Sequence, residues 1–189
     1  NPTLSMFEQR LALLEGAAYC VATASGMSAV FAALASQLKA GDRIVASKAL
    51  FGSCLYIIAD QLPKFGIEAD FVDGTDYDAW AKALSTPANV VFMETPSNPC
   101  LEVIDIAKVS EMAHAAGARV VVDNVFATPI LQRPLALGAD IVVYSATKHI
   151  DGQGRTLGGA ILTNDQEFIE DHLTPWMRHT GPALSPFNA

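Results

Sequence analysis

The segment ARVVVDN, residues 118–124, decides the fold class. It is apolar at nearly every position and ends in polar residues, and DIVVYSA at residues 140–146 and VVFME at residues 90–94 follow the same design. Strands without polar alternation are buried on both faces, which is typical of a parallel sheet covered by helices. The same pattern predicts further strands at 18–24, 43–47, 68–72 and 158–162.

The segments between these strands predict helices, because their apolar residues recur at helical spacing. The predicted helices cover residues 4–15, 26–38, 53–65, 77–84, 106–116 and 165–178. Ser5 and Glu8 have the spacing of a capping box for the first of them. Alternating strands and helices predict an α/β fold with a mostly parallel sheet and helices on both faces.

Composition narrows the class of function. The chain has 189 residues, of which 51% are hydrophobic, and a net charge of −8 without any Lys/Arg cluster, so we expect no nucleic-acid partner. Residues 16–38 carry no charge and are long enough to span a membrane. Their Gly, Ala, Ser and Thr content and the break at Ser25-Gly26 favour a buried strand, turn and helix, so we expect no membrane association.

The cysteines predict a reducing environment. Cys20, Cys54 and Cys100 are odd in number and form no CxxC motif, which favours reduced, buried thiols in a cytoplasmic protein. The four histidines lack the spacing of metal ligands, so we expect no metal site.

Polar residues gather where the predicted strands end, which is where open α/β sheets bind ligands. Ser25-Gly26-Met27 opens a helix and can form a phosphate site or an ordinary cap. Asp123 can pair with a protonated ring nitrogen, or it can cap a helix or form an ion pair. Lys148 can be a nucleophile or proton carrier in a partly dry pocket, or it can point into water. Together the three fit pyridoxal 5′-phosphate (PLP), which needs a phosphate site, an acid and a lysine.

Four motifs extend this hypothesis. ATASGMSA (22–29), ETPSNP (94–99), VVVDNVFATP (120–129) and SATKHIDGQG (145–154) together resemble the Cys/Met-metabolism family of PLP enzymes, in order along the whole chain. The resemblance implies the large domain of a fold-type I, aspartate-aminotransferase-like PLP enzyme.

The resemblance also implies roles for individual residues. Lys148 resembles the lysine that forms the Schiff base, and Asp123 the partner of the pyridine nitrogen. Asn98 resembles the asparagine that binds the ring hydroxyl, and Phe51 lies where an aromatic residue stacks on the ring. The phosphate-binding groups of the family correspond to Ser25, Gly26, Met27, Ser145 and Thr147.

Within the family, LFGSC (50–54) and KHIDGQGR (148–155) are most similar to sulfhydrylases that act on O-succinylhomoserine. This similarity implies γ-replacement on that ester with sulfide, giving homocysteine for methionine biosynthesis. A methionine or cystathionine γ-lyase, a cystathionine γ-synthase and an inactive fragment are the alternatives. Phe51 favours the sulfhydrylase, because most γ-lyases of the family have a tyrosine there.

The resemblance finally predicts how the chain is organised. Residues 1–178 are expected to form the cofactor-binding large domain without its N-terminal arm, and residues 179–189 to begin a connection to a C-terminal domain. The chain would then be about half of a family subunit and would lack the arginine that binds the substrate carboxylate. A homotetramer built as a dimer of dimers, with active sites shared between subunits, is also implied.

Overall fold

The structure, a computed structural model, describes all of residues 1–189 and contains one seven-stranded sheet. The strands lie in the order β1-β7-β6-β5-β4-β2-β3. Six of them are parallel to one another, whereas β7 is antiparallel to both of its neighbours. The strands are β1 (Tyr19–Thr23), β2 (Arg43–Ser47), β3 (Glu68–Val72), β4 (Val90–Glu94), β5 (Arg119–Asp123), β6 (Ile141–Ser145) and β7 (Gly159–Thr163).

Helices connect the strands and confirm the predicted α/β fold class. The α-helices are α1 (Pro2–Glu15), α2 (Gly26–Ala35), α3 (Gly52–Tyr56), α4 (Tyr77–Ala83), α5 (Ile106–Ala115), α6 (Thr128–Leu131) and α7 (Thr174–Thr180). Wider π-helical turns occupy Ile57–Gln61, Ala146–Ile150 and Phe168–Leu173, and tighter 3-10 turns occupy Leu62–Phe65 and Pro134–Leu137.

Both faces of the sheet are buried, which explains the apolar runs in the sequence. On β5, Val121 points into the core beneath α2 and α3, whereas Val120 and Val122 point into the core beneath α4 and α5. Successive side chains of a strand point to opposite faces, so a strand covered on both sides must be apolar at every position. A smaller core beneath α1 contains Leu11 and Tyr144.

The first helix begins earlier than the capping-box prediction places it. Its N-cap is Asn1, whose side chain accepts a hydrogen bond from the Thr3 N–H at 3.0 Å. Glu8 instead accepts the Ala22 N–H of the edge strand β1 at 2.9 Å. The predicted Ser5–Glu8 capping box is therefore wrong, and Glu8 satisfies a backbone group of an edge strand that has a neighbour on one side only.

Two other expectations need correction, and one short helix was not predicted. Helix α2 ends at Ala35 rather than at residue 38, and the short helix α6 was not predicted, because four residues are too few to show a helical period. Of the three free cysteines, Cys54 is buried but Cys100 is exposed, so the expectation of buried thiols is wrong for Cys100. Residues 16–38 form β1 and α2, and none of the helices is long and apolar enough to span a bilayer.

Candidate active site

A cavity of about 740 Å³ opens at the carboxyl edge of the sheet, where the parallel strands end. All of the predicted site residues line this cavity, although they come from five separate segments of the chain. They are Ser25, Gly26, Met27, Phe51, Asn98, Asp123, Ser145, Thr147 and Lys148.

The N-terminus of α2 forms one wall of the cavity. Ser25 is the N-cap, and its Oγ accepts the Ser28 N–H at 3.1 Å. The N–H groups of Gly26 and Met27 lie in the first turn, where an α-helix has no acceptors of its own. The same residues therefore form a helix cap and also offer free N–H groups to an anion. The cap and the phosphate site are thus compatible.

Gly26 is required for packing, which the sequence interpretation did not anticipate. A Cβ at this position would lie 2.5 Å from Cβ of Ser145, at the end of β6. The absence of a side chain thus lets the start of α2 meet the end of β6. Gly159, at the start of β7, is needed for a similar reason, because a Cβ there would lie 2.5 Å from the carbonyl carbon of Ser25.

Thr147 lies at the cavity, but its hydroxyl already has partners. Its Oγ1 donates to the Gly158 carbonyl at 3.2 Å and accepts the Gly158 N–H at 3.1 Å. These bonds close the loop between β6 and β7. To donate to a phosphate, the Thr147 hydroxyl would have to give up its hydrogen bond to the Gly158 carbonyl. The Ser145 hydroxyl has no hydrogen-bond partner within the chain.

Asp123 is a buried acid without a basic partner. Only 7% of the residue is exposed, and its Oδ1 accepts the Val125 N–H at 3.1 Å. The thiol of Cys54 faces Oδ2 at 3.8 Å. Burial raises the pKa of Asp123 to about 6, and no Lys, Arg or His forms an ion pair with it. The ion-pair alternative is therefore wrong within this chain.

Glu94 is a second buried acid in the cavity and was not among the predicted site residues. Its Oε2 accepts the Phe51 N–H at 2.6 Å, and its Oε1 accepts the Asn98 N–H at 2.9 Å. Burial first, and then the charge of Asp123, raise the pKa of Glu94 to about 7. The signal was present in the sequence, since VVFME ends an apolar strand in an acid just as the β5 segment does.

Phe51 and Asn98 offer free side chains to the cavity. The Phe51 residue is 42% exposed, so its ring has a face open to a ligand. The Asn98 side chain forms no hydrogen bond within the chain, although its backbone N–H is held by Glu94. An open aromatic face and an unpaired amide suit the stacking and hydroxyl-binding roles that the family resemblance implies.

Lys148 lies beyond the strand end, in the turn Ala146–Ile150 that follows β6, and its own backbone is not helical (φ −92°, ψ −113°). The residue is exposed, lines the cavity and has no ion-pair partner. Of the two alternatives for Lys148, the exposed lysine describes this chain better than the lysine in a partly dry pocket, and it still lines the cavity. The following turn is held by Asp151, whose Oδ2 accepts the N–H groups of Gln153 and Arg155 at 3.2 and 2.8 Å.

Tyr144 also lines the cavity and was missed by the sequence interpretation. Its hydroxyl donates to the Glu15 carboxylate and accepts from the Asn124 side chain, at 2.6 Å in the second case. Asn124 in turn accepts from Gln132, whose amide reaches the Thr95 carbonyl at 2.8 Å. This buried network connects α1 with the segments behind Asp123, and an isolated tyrosine within an apolar run gives no sign of it.

The donor and acceptor groups of the cavity fit PLP. A buried carboxylate without a cation suits a protonated pyridine nitrogen, and a helix N-terminus beside a free Ser145 hydroxyl suits a phosphate. An exposed aromatic ring lies in the same cavity as a lysine amine free to react with an aldehyde. No single one of these groups specifies the cofactor, but their combination matches its parts.

Solved structures share the fold of this chain. The metB protein from Corynebacterium glutamicum superposes with a TM-score of 0.96 and 38% identity, covering 100% of this chain and 49% of that one. A cystathionine gamma synthase from Xanthomonas oryzae pv. oryzae, in complex with aminoacrylate and cysteine, gives a TM-score of 0.95 and 37% identity, covering 100% and 48%.

Sequence relatives give the same picture. An O-succinylhomoserine sulfhydrylase of Mycobacterium tuberculosis (strain ATCC 25618 / H37Rv) is 60% identical and one of Pseudomonas aeruginosa is 47% identical, each over 100% of this chain and 46% of the relative. An L-methionine gamma-lyase of Pseudomonas putida is 39% identical over 100% and 48%. The chain spans about half the length of the curated relatives it matches. Residues 1–189 match the family described as Cys/Met metabolism PLP-dependent enzyme, and the chain belongs to that family.

Proposed function

We propose that this chain carries the PLP site of an enzyme that exchanges the γ-substituent of an activated homoserine ester. The observation that supports this most strongly is the position of Asp123. It is a buried acid without a basic partner, in the same cavity as a free lysine and a helix N-terminus. A buried carboxylate is unfavourable unless it is paired, and a protonated ring nitrogen would pair it.

Each part of the cofactor has candidate residues in the cavity. Lys148 Nζ would hold the aldehyde group, and Asp123 would pair with the protonated ring nitrogen. Phe51 packs on the ring face, and the Asn98 amide binds the ring hydroxyl. The phosphate is bound by Ser25, Gly26, Met27, Ser145 and, after its hydroxyl turns away from Gly158, Thr147.

When bound, PLP supplies a ring that withdraws electrons from the substrate Cα. The Lys148 amine would accept the proton from the substrate Cα and then move a proton at Cβ. Asp123 keeps the ring nitrogen protonated throughout. Holding the ring fixed between Phe51 and the phosphate contacts orients the Cα–H bond, and such orientation is a large part of a rate enhancement.

The reaction we propose converts O-succinyl-L-homoserine and hydrogen sulfide into L-homocysteine and succinate. The Cγ–O bond breaks and the Cγ–S bond forms. One proton of hydrogen sulfide leaves with succinate and the other stays on the homocysteine thiol, so no oxidant or reductant is needed. Support comes from the relatives at 60% and 47% identity, both of which are O-succinylhomoserine sulfhydrylases. Phe51 also favours replacement over elimination, because it has no hydroxyl to assist proton transfer.

The first experiment tests cofactor attachment. The purified chain is mixed with PLP, its absorbance is recorded near the violet edge of the visible range, and it is reduced with borohydride and mapped as peptides. We expect the reduced cofactor on Lys148 and none in Lys148→Ala. Lys48→Ala is the matched control, because Lys48 directly follows β2 at the same edge of the sheet. Labelling spread over surface lysines, or unchanged in Lys148→Ala, would contradict the proposal.

The second experiment tests the reaction in a full-length protein that contains this chain. We expect succinate to be released from O-succinylhomoserine at a rate that depends on sulfide, with homocysteine as the product. A γ-lyase on the same fold would instead release a 2-oxo acid and ammonia without sulfide. A relative that is 39% identical is named L-methionine gamma-lyase. Release of a 2-oxo acid without sulfide would therefore favour γ-lysis as the activity of the full-length protein.

Assembly and domain structure are part of the proposal. We infer that residues 1–178 form the large domain, that 179–189 lead toward a further domain, and that subunits form a dimer of dimers. Exposed apolar side chains on α1 and α6 support self-association, since Leu13 is 81% and Leu131 82% exposed. Sedimentation equilibrium of the full-length protein tests this, and a monomer at micromolar concentration would refute it.

A further inference from the structure

Glu94 ends β4 at the centre of the carboxyl edge, and only 4% of the residue is exposed. None of the cofactor contacts proposed above is assigned to it. It nevertheless lines the cavity, and in the sheet its strand pairs with β5 so that Glu94 lies directly beside Asp123. The structure thus contains two neighbouring buried acids, of which the family resemblance accounts for one.

The contacts of Glu94 connect two separate segments. Its Oε2 accepts the N–H of Phe51, which is 43 residues away in sequence, and its Oε1 accepts the N–H of Asn98, four residues ahead. Phe51 directly precedes α3, and Asn98 lies in the loop after β4. One side chain therefore fixes the distance between the aromatic ring and the amide that face the cavity.

A carboxylate is the side chain that this arrangement requires. A glutamine has a single acceptor oxygen and presents an N–H₂ group in place of the other, so it can accept one of the two backbone N–H groups but not both. Burying the charge of Glu94 beside Asp123 is unfavourable. Its neighbours in the cavity include the neutral thiol of Cys54, and no cation forms an ion pair with Glu94. The two hydrogen bonds to separate segments give the acid a role that glutamine cannot fill.

We propose that Glu94 is a positioning residue that holds the Phe51 and Asn98 segments in a fixed spacing and thereby sets the width of the slot for the cofactor ring. This inference rests on the proposed function, because it assigns the slot to the PLP ring. Glu94 acts through the backbone of Phe51 and Asn98, so it need not touch the cofactor itself.

Hydrogen exchange tests the positioning role without any cofactor. In the unliganded chain, we expect the Phe51 and Asn98 amides to be protected, and we expect Glu94→Gln to speed exchange by about tenfold at the one of the two amides that loses its acceptor. Asp140→Asn is the matched control, because Asp140 accepts the Val120 N–H at 2.7 Å on the opposite edge of the sheet. It should speed exchange near Val120 and leave Phe51 and Asn98 unchanged.

A spectroscopic measurement tests the effect on the cofactor. In Glu94→Gln we expect borohydride still to label Lys148, while the visible circular dichroism per bound cofactor falls at least twofold, since the ring is held less rigidly. Unchanged exchange at both amides in Glu94→Gln would overturn the inference, and so would unprotected amides in the unsubstituted chain, a result that does not require the variant to fold. Altered exchange without any labelling of Lys148 would refute the proposed function and leave the positioning role intact.

Discussion

The two edges of the sheet treat their acids in opposite ways. At the edge where the parallel strands begin, each of several acids has a basic partner, and the pairs are Lys39–Asp42, Arg43–Asp70, His114–Asp140 and Arg119–Asp165. At the edge where they end, Glu94 and Asp123 are buried and have only N–H groups and a thiol as hydrogen-bond partners.

This difference shows which edge is made for a ligand. An edge whose charges are balanced within the chain has no unmet electrostatic requirement. An edge with buried, unbalanced acids is less stable on its own and gains stability when a cation enters, which is a common property of binding sites. The helix N-terminus at Gly26 adds free N–H donors to the same edge, so it can receive both charges of a ligand that is cationic at one end and anionic at the other.

The glycines show the same contrast. Gly26 and Gly159, at the ligand edge, are needed because neighbouring atoms leave no room for a Cβ. Gly41 and Gly117, at the opposite edge, have open space around them and are needed for their positive φ angles of 89° and 80°. At these four positions, close approach serves the site, whereas the left-handed backbone serves the turns.

The largest effect is expected from Gly159→Ala. The new methyl group would overlap the Ser25 carbonyl, so β7 or the start of α2 must move, and we expect unfolding free energy to fall by about 3 kcal/mol or more. Urea denaturation measures this loss, and PLP labelling of Lys148 should be lost with it, because Ser25 caps the helix that faces the phosphate.

Gly117→Ala is the control for that substitution. It introduces strain of about 1 kcal/mol from the left-handed backbone, without touching the cavity, so PLP labelling should persist. If both substitutions reduced stability and labelling equally, the distinction between the two kinds of glycine would be wrong.

The pH dependence of stability should reflect the unbalanced acids. Burial raises the pKa values of Glu94 and Glu15 to about 7 and that of Asp123 to about 6. The folded chain therefore keeps these protons at pH values where the unfolded chain has released them, so stability should be highest near pH 4 and fall as the pH rises to about 7. Urea denaturation of the chain without cofactor at several pH values measures this loss.

The double variant Glu94→Gln/Asp123→Asn tests the origin of that slope. Removing two of the three raised acids should flatten the pH profile between about 5 and 7. An unchanged slope would assign it to Glu15 alone, and stability that rises with pH would contradict the burial argument.

Much of this molecule could be predicted from local sequence. The apolar runs located every strand to within one or two residues, because burial on both faces leaves a continuous apolar pattern. Many of the cavity residues could be found because polar side chains at parallel strand ends converge wherever the helices lie, whereas Phe51 came from the family resemblance.

Other features depend on tertiary structure. The antiparallel direction of β7 is not written in its five residues, but it follows from the connection between β6 and β7, which contains no crossover helix. The cap at Asn1 and the bond from Glu8 to β1 depend on where α1 docks. The exposure of Lys148 depends on the π-helical turn after β6, for which no sequence pattern was used.

A pair of isosteric substitutions should give effects of opposite sign at the two edges. Asp123→Asn removes an unpaired buried charge, so we expect the cofactor-free chain to gain about 1 kcal/mol of stability at pH 8. Asp140→Asn weakens bonds to the Val120 N–H and to His114, so we expect a loss of about 1 kcal/mol. Urea denaturation with unchanged m-values measures both, and a loss in both variants would mean that Asp123 is already well stabilised without a ligand.

The smallest effect is expected at the Lys39–Asp42 pair. It tests whether an acid at the opposite edge is stabilised by the charge of its partner or by a backbone hydrogen bond. The Lys39 side chain is 83% exposed and that of Asp42 only 10%, so Lys39→Ala should change stability by less than about 0.5 kcal/mol. Asp42→Ala should cost about 1 kcal/mol, because Oδ2 also accepts the Lys39 N–H at 2.9 Å. If Lys39→Ala were the more harmful and its effect disappeared in high salt, the ammonium charge would matter more than the backbone bond. The contrast between the edges would then be one of charge alone, rather than of charge and backbone hydrogen bonding together.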